Sequence, residues 1–197
     1  MARIYLSPSS AEFQYFITGG NEEEYMNQVA DAMVPYLRAS GIEFTRSSPN
    51  MTEQQIIDES NAQYYDLHVA LNTDSAPEFS VGTLQGPNVI YYTGSPGGRV
   101  IANIMAKNLK QIYPNPDLVQ VNSNRLLREL RDTDAAAVMP MLGYRDNLLD
   151  AMWITNNIDL IAQNLVMSIA EYLDVPFAAP QQAQPVTPAF KKRIRRY

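Results

Sequence analysis

The arrangement of the chain follows from one stretch, Tyr65-Asp66-Leu67-His68-Val69-Ala70-Leu71-Asn72-Thr73-Asp74. Its centre is apolar and contains a β-branched residue, which predicts a short buried strand that ends where polar residues follow Leu71. In an open α/β sheet, the residues just beyond the carboxyl end of a central strand line the functional crevice. We therefore expect Asn72 and Asp74 at the lip of a site, with His68, the only histidine of the chain, earlier in the strand.

Composition limits the class of protein. A chain of 197 residues, 46% of them hydrophobic, is long enough for one domain with a real core. The formal net charge of -6 argues against nucleic-acid binding by the main domain. The absence of cysteine excludes disulfides and thiolate metal sites.

The pattern at the amino terminus predicts no classical signal peptide. No apolar signal core follows Met1, and no window is long enough to span a membrane. We therefore expect a protein that is cytoplasmic at synthesis. If it works outside a cell, lysis or packaging in a phage-like particle would have to deliver it.

Strand and helix patterns alternate along the chain. Strands are predicted at 3–7, 42–46, 65–74, 89–92 and 135–144, with a short extended piece at 119–121. Helices are predicted from an Asn21 cap to Gly41 and at 52–61, 99–113, 126–131 and 158–173. Pro35 should kink the first helix. Because Pro140 cannot donate to a ladder, we expect the 135–144 strand to be distorted or at an edge.

Several of these segments resemble a known family. The run from Asp66 to Pro77 is similar to the third-ligand segment of the zinc-dependent N-acetylmuramoyl-L-alanine amidases, cell-wall hydrolases of the amidase-3 class. The segments 89–92 and 135–144 resemble two strands of that family. The resemblance covers roughly residues 3 to 177 and implies an α/β fold, with a mostly parallel twisted sheet flanked by helices on both faces.

The resemblance also places the family's metal site on this chain. The two zinc-binding histidines fall at Ser10 and Asn72, the zinc-binding glutamate falls at Glu23, and the general base falls at Met141. A hydroxyl and an amide are poor zinc ligands beside imidazole, and a thioether cannot act as a base. We therefore expect no metal or other cofactor, with Glu23 and Asp74 as carboxylates of a vestigial groove.

Other interpretations of these residues stay open. Glutamates in a first helical turn, such as Glu22, Glu23 and Glu24, are favoured by the helix dipole alone. A site built only from carboxylates, Asp74 included, would prefer magnesium or calcium to zinc. His68 lies about 13 Å along the strand from Asn72, so we expect a core or supporting histidine rather than a replacement ligand.

These substitutions predict a catalytically degenerate amidase-like protein with a binding or structural role. That role would be recognition of peptidoglycan or its fragments, docking of a protein partner, or a place in a phage-like assembly. The alternative is an active peptidoglycan amidase with substituted ligands, and zinc would then be its cofactor.

Residues 1–177 would form the amidase-3-like domain, and 178–197 a Pro/Gln-rich linker and basic tail. The tail is either an electrostatic arm for a protein, an anionic polymer or a membrane surface, or a solvated end. Its five positive charges are those of Lys191, Lys192, Arg193, Arg195 and Arg196.

Overall fold

A computed structural model describes residues 1–180, so the predicted basic tail lies outside the described residues. The strands within this range are β1 (Arg3–Pro8), β2 (Glu43–Arg46), β3 (Leu67–Asp74), β4 (Asn88–Tyr92), β5 (Gln120–Asn124) and β6 (Ala137–Tyr144). They form one sheet in the order β2-β1-β3-β6-β4-β5. No helix of this part of the chain is long and apolar enough to cross a membrane.

Helices connect most of the strands. They are α1 (Glu22–Ala39), α2 (Glu53–Asn61), α3 (Pro96–Leu109), α4 (Arg128–Arg131), α5 (Leu148–Asn156) and α6 (Ile158–Tyr172), and single 3-10 turns lie at Glu78–Ser80 and Pro116–Leu118. The predicted caps are present. The Asn21 side chain accepts a hydrogen bond from the Glu24 N–H at 2.8 Å, and Thr52 and Gln55 form a reciprocal capping box that begins α2.

The strand directions bring several strand ends to one edge of the sheet. Strands β2, β1, β3 and β6 are mutually parallel. Strand β4 runs antiparallel to β6, and β5 is parallel to β4. The carboxyl ends of β1, β3 and β6 therefore meet at the end of the sheet where β4 and β5 begin. We call this end of the sheet the cleft edge, which is distinct from the lateral edges formed by β2 and β5.

Helices cover both faces of the sheet. On β1, Ile4 and Leu6 point into the large core formed with α1, α3, α5 and α6, whereas Tyr5 points to the other face and packs with Ile56 of α2. This alternation is the period of two that a strand imposes on its side chains. The second face is covered only by α2 and the short α4, which leaves room for a pocket.

Strand β6 is not an edge strand, so the predicted edge position for Pro140 is wrong. Pro140 lies in an interior strand opposite Val89 of β4. The other predicted outcome, distortion, is present. The ladder with β3 runs from Val69↔Val138 to Asn72↔Met141 without pairs at Met139 and Pro140, and its register shifts beyond Asn72. The ring nitrogen of Pro140 has no hydrogen to donate, which interrupts the ladder there.

Helix α3 also differs from its predicted bounds. It begins at Pro96 rather than near 99 and ends at Leu109 rather than near 113. The Ser95 hydroxyl accepts a hydrogen bond from the Gly98 N–H at 3.1 Å, and proline suits the first position because its missing N–H would be unpaired there anyway. The Gly97-Gly98 pair after Pro96 resembles a turn in sequence, which explains the late predicted start.

Candidate functional site

Three of the predicted site residues lie in one pocket at the cleft edge. Ser10, Asn72 and Met141 line a space of about 280 Å³, which we call the cleft pocket. It opens on the face of the sheet that α2 and α4 cover. Larger hollows exist elsewhere, such as one of about 520 Å³ between α3 and β5, but they do not contact the carboxyl ends of the parallel strands.

Backbone pairing fixes the positions of these three side chains. Asn72 and Met141 are partners in the β3–β6 ladder. The Ser9 N–H donates to the Leu71 carbonyl at 2.9 Å, which ties the turn after β1 to the end of β3. The positions that resemble the family's ligand and base positions are thus adjacent in space, although their side chains are a hydroxyl, an amide and a thioether.

Glu23 and Asp74 do not line the cleft pocket. In the first turn of α1 it is Glu22, 4% exposed, that points inward. The Glu22 carboxylate accepts hydrogen bonds from Thr73 Oγ1 at 2.7 Å and from Arg145 Nη1 at 3.2 Å. Asp74 accepts from the N–H of the next residue at 2.8 Å. Glu22 therefore joins α1 to the end of β3 rather than contributing to the pocket.

His68 is a core residue, as expected. The ring is fully buried and stacks on Tyr5, with 5.2 Å between the ring centroids. Its Nδ1 lies 2.9 Å from the Ser60 hydroxyl. Its Nε2 lies 2.9 Å from Glu129 Oε1, and because a carboxylate can only accept, Nε2 donates this bond. Both ring nitrogens are thus occupied, and His68 supports the pocket from behind.

Two acidic residues of the cleft pocket were not predicted from the sequence. Glu129 of α4 is 9% exposed, and it lines the pocket together with Glu53 of α2. The Arg128-Glu129-Leu130-Arg131 segment is too short to show which charged side chain faces inward. The only signal was His68 itself, since a buried imidazole needs hydrogen-bond partners.

The loops around the cleft edge are held together by carboxylates. The Ala76 and Gly82 N–H groups donate to the Asp146 carboxylate at 2.9 and 2.7 Å. Fully buried Asp150 accepts from the N–H groups of Gly86 and Tyr144, each at 2.8 Å. The β3–β4 loop, residues 75–87, is therefore fastened to the segment that follows β6.

Burial changes the proton affinity of several groups near this edge. Desolvation raises the pKa of Asp150 although donors from Tyr113, Tyr144 and Gly86 oppose the shift. Desolvation, reinforced by the neighbouring carboxylate of Glu59, also raises the pKa of the Tyr5 hydroxyl. The Asp150 carboxyl holds backbone N–H groups, the Tyr5 hydroxyl donates to Glu59, and neither residue lines the cleft pocket.

The donor set of the cleft pocket does not fit a zinc ion. A zinc site takes nitrogen, sulfur and carboxylate ligands, commonly with imidazole among them. Here the one imidazole is committed to Ser60 and Glu129 behind the pocket. Among residues 1–180, no three histidine or acidic side chains come close enough together to hold a metal, and residues 181–197 contain neither type.

Comparison with known proteins identifies the family. The family model described as N-acetylmuramoyl-L-alanine amidase, amidase-3, matches residues 13–171. Because this match spans most of the 197 residues, the chain belongs to the amidase-3 family. No curated protein matches it in sequence.

Solved structures show the same fold. The N-acetylmuramoyl-L-alanine amidase AmiC2 of Nostoc punctiforme superposes with a TM-score of 0.76 at 14% identity, covering 88% of this chain and 97% of that one. The catalytic domain of the amidase CwlV from Bacillus (Paenibacillus) polymyxa var. colistinus also reaches 0.76, at 16% identity over 89% and 100% of the two chains. CwlD from Clostridioides difficile, in complex with the GerS lipoprotein, reaches 0.71 at 13% identity over 88% and 99%.

Proposed function

We propose that this protein is an amidase-3 family member that binds peptidoglycan without hydrolysing it. The observation that carries the proposal is the cleft pocket. There Ser10 and Asn72 lie where the resemblance places the family's two zinc-binding histidines, and Met141 lies where it places the general base. Family membership supplies the ligand class, since the matched family acts on N-acetylmuramoyl-L-alanine bonds of the wall.

The chemistry of the pocket supports loss of the amidase reaction. Hydrolysis of an amide through a metal-bound water needs three protein ligands and a group that moves protons. A thioether at Met141 cannot accept a proton. Glu129 carries a carboxylate, but one of its oxygens is engaged by His68, so it is held as part of the pocket wall.

Exposed apolar side chains around the cleft edge support retention of a binding surface. The loop after β1, the 75–87 loop and the start of α5 are joined by the contacts of Arg145, Asp146 and Asn147. Their exposed side chains include Phe13, Tyr15, Ile17, Phe79, Val81, Leu148 and Leu149. Exposed aromatic groups around a cleft are typical of a ligand surface rather than of bare solvent.

Retention of the protein on purified sacculi tests the binding role. We expect the wild-type protein to be retained and Phe79→Ala to weaken retention, because Phe79 is 92% exposed at the cleft edge. Tyr64→Ala is the matched control: Tyr64 is 79% exposed but precedes β3, at the opposite edge of the sheet. Passage of the wild-type protein through the sacculi, or equal losses in both variants, would contradict the binding role.

Metal content and wall hydrolysis test the inactive part of the proposal. The purified protein should carry no stoichiometric zinc after equilibration with the metal, and dye-labelled sacculi should release no dye. Stoichiometric zinc together with released wall fragments would establish the alternative, an active amidase with substituted ligands.

A further inference from the structure

The polar side chains of the cleft pocket are either neutral or acidic, and all of them can accept hydrogen bonds. The Ser10 hydroxyl, the Asn72 amide and the carboxyl groups of Glu53 and Glu129 line it, and neither lysine nor arginine does. The nearest cation, Arg128, lies outside the lining and contacts Glu53, with Nη1 3.5 Å from Oε2. The pocket therefore favours a ligand group that donates hydrogen bonds and carries positive charge.

Glu129 is a largely buried side chain whose Oε2 stays accessible from the pocket. The residue is 9% exposed, and His68 fixes Oε1 from behind at 2.9 Å. Within the described residues, no group donates to Oε2, although the side chain lines the pocket. A carboxylate that has lost most of its water binds a cationic donor more strongly than an exposed one does.

Apart from Ser7 and Ser9, which are neutral, the remaining walls of the pocket are apolar. Pro8, Ile56, Leu127, Met139 and Met141 surround the acceptors. The volume of about 280 Å³ lies near the lower end of the range for small-molecule sites, which begins at about 300 Å³. Such a pocket accommodates a short alkyl chain with one polar end rather than a whole sugar ring with its substituents.

We propose that the cleft pocket binds a primary ammonium group on an alkyl chain, with Glu129 as its main partner. This deepens the proposed function and rests on it for the source of the ligand, which is the side-chain amine of a diamino acid in a wall peptide. A free alkyl diamine has the same chemistry, so the test separates these two sources.

The primary test follows the pocket methionines by NMR. Protein labelled with ¹³C-methyl methionine is titrated with Nα-acetyl-L-lysine methylamide, and the resonances of Met139 and Met141 are expected to shift. Nα-acetyl-6-hydroxy-L-norleucine methylamide has a side chain of the same length with a neutral hydroxyl in place of the ammonium group, and we expect it to leave both resonances in place. Equal shifts with both compounds, or none with either, would overturn the proposal.

A charge-removing variant tests the role of Glu129. Glu129→Gln retains an acceptor for His68 and should weaken binding of the lysine compound by roughly ten- to a hundredfold, as loss of a charged hydrogen bond predicts. Glu43→Gln, in exposed β2 away from the cleft edge, is the matched control and should bind like wild type. Wild-type affinity in Glu129→Gln, with native methionine spectra, would overturn the assignment.

Retention of the protein on sacculi distinguishes a wall peptide from a free diamine as the ligand, and it distinguishes the ammonium site from wall binding in general. Acetylation of wall amines should reduce retention of the protein, and cadaverine should compete only weakly. Unchanged retention after acetylation would overturn the wall peptide as the source. If the protein is retained on untreated sacculi but its methionine resonances do not respond to the lysine compound, the ammonium site is overturned and wall binding stands. If the resonances respond but the protein is not retained on sacculi, wall binding is overturned and the ammonium site stands without the wall as its source.

Discussion

His68 lies in the segment that resembles the family's third-ligand segment, but in the fold it is a buried core residue rather than a ligand. It precedes the family-like ligand position by four residues, yet it is fully buried and joins Ser60 to Glu129. The strand period predicts that it shares a face with Asn72 without reaching the same site. Its partners could not be predicted, because Ser60 lies on a separate helix and Glu129 comes from α4, 61 positions away.

At the same scale, the sequence places Ser10, Asn72 and Met141 but not Glu129. Ser10 follows β1, and Asn72 and Met141 lie in the carboxyl-terminal halves of β3 and β6. Because these strand ends meet, alignment with a family pattern is enough to bring the three residues together. Which of Glu22 and Glu23 faces inward depends on the rotation of α1 about its axis. One residue changes the direction of a helical side chain by about 100°, and sequence alone does not fix that rotation.

Asp150 gives a prediction for the pH dependence of stability. Its pKa is raised by burial above the ordinary value of 3.8, so the folded state binds the proton more tightly than the unfolded state. The contribution of Asp150 to the free energy of unfolding must therefore fall as pH rises from the unfolded pKa through the folded one. We expect Asp150→Asn to remove this fall.

Urea unfolding at a series of pH values from 4 upward measures the contribution of Asp150. That contribution is the unfolding free energy of the wild type minus that of Asp150→Asn. That difference should decline with rising pH. A difference that stays constant or increases across the acidic range would contradict the assigned direction.

At the scale of the elements, the shape of the 75–87 loop could not be predicted from the sequence pattern. The sequence predicts an irregular loop there, and the structure holds it through backbone N–H groups that donate to Asp146 and Asp150. Side-chain to backbone bonds of this kind join residues about 65 positions apart. Turn propensity therefore predicts that a loop exists, whereas its fixed shape comes from tertiary contacts.

Removing the Asp146 carboxylate should loosen this loop. Asp146→Ala leaves the N–H groups of Ala76 and Gly82 without their acceptor, and we expect a loss of about 1–3 kcal/mol in local stability. Hydrogen exchange at Gly82 should accelerate while exchange in β3 stays slow. Because the loop carries Phe79, retention on sacculi should weaken in parallel.

Asp134→Ala, in the exposed turn that precedes β6 and therefore lies opposite the cleft edge, is the matched control for that experiment. Unchanged exchange at Gly82 in Asp146→Ala would show that the loop keeps its shape without this acceptor.

The whole molecule has the architecture of the amidase-3 structures that it resembles. The alternation of strands and helices, together with the resemblance, was sufficient for the α/β fold and its mostly parallel sheet. The interior position of β6 was not predicted, because the antiparallel β4 pairs with it from the far side. The proline predicts either distortion or an edge position; the interior ladder contains it with a distortion, and the β3–β6 ladder has no pair at Met139 or Pro140.

Partial restoration of the family pattern should not restore hydrolysis. In the double variant Asn72→His/Met141→Glu, the hydroxyl of Ser10 still stands where the family has an imidazole, and Glu23 does not line the pocket. We expect neither stoichiometric zinc nor release of dye from labelled sacculi. Recovered hydrolysis would show that another residue, and not Ser10, occupies the first ligand position.

The contact between Ala178 and the end of α1 has a practical consequence for such measurements. The Ala178 N–H donates to the Ser40 hydroxyl at 3.0 Å, and Ser40 lies at the end of α1, beside the start of β2 and opposite the cleft edge. A bead, dye or reporter domain joined after Pro180 is thus attached on the reverse side of the molecule. Immobilised in that orientation, the protein presents its pocket outward, as a wall probe requires.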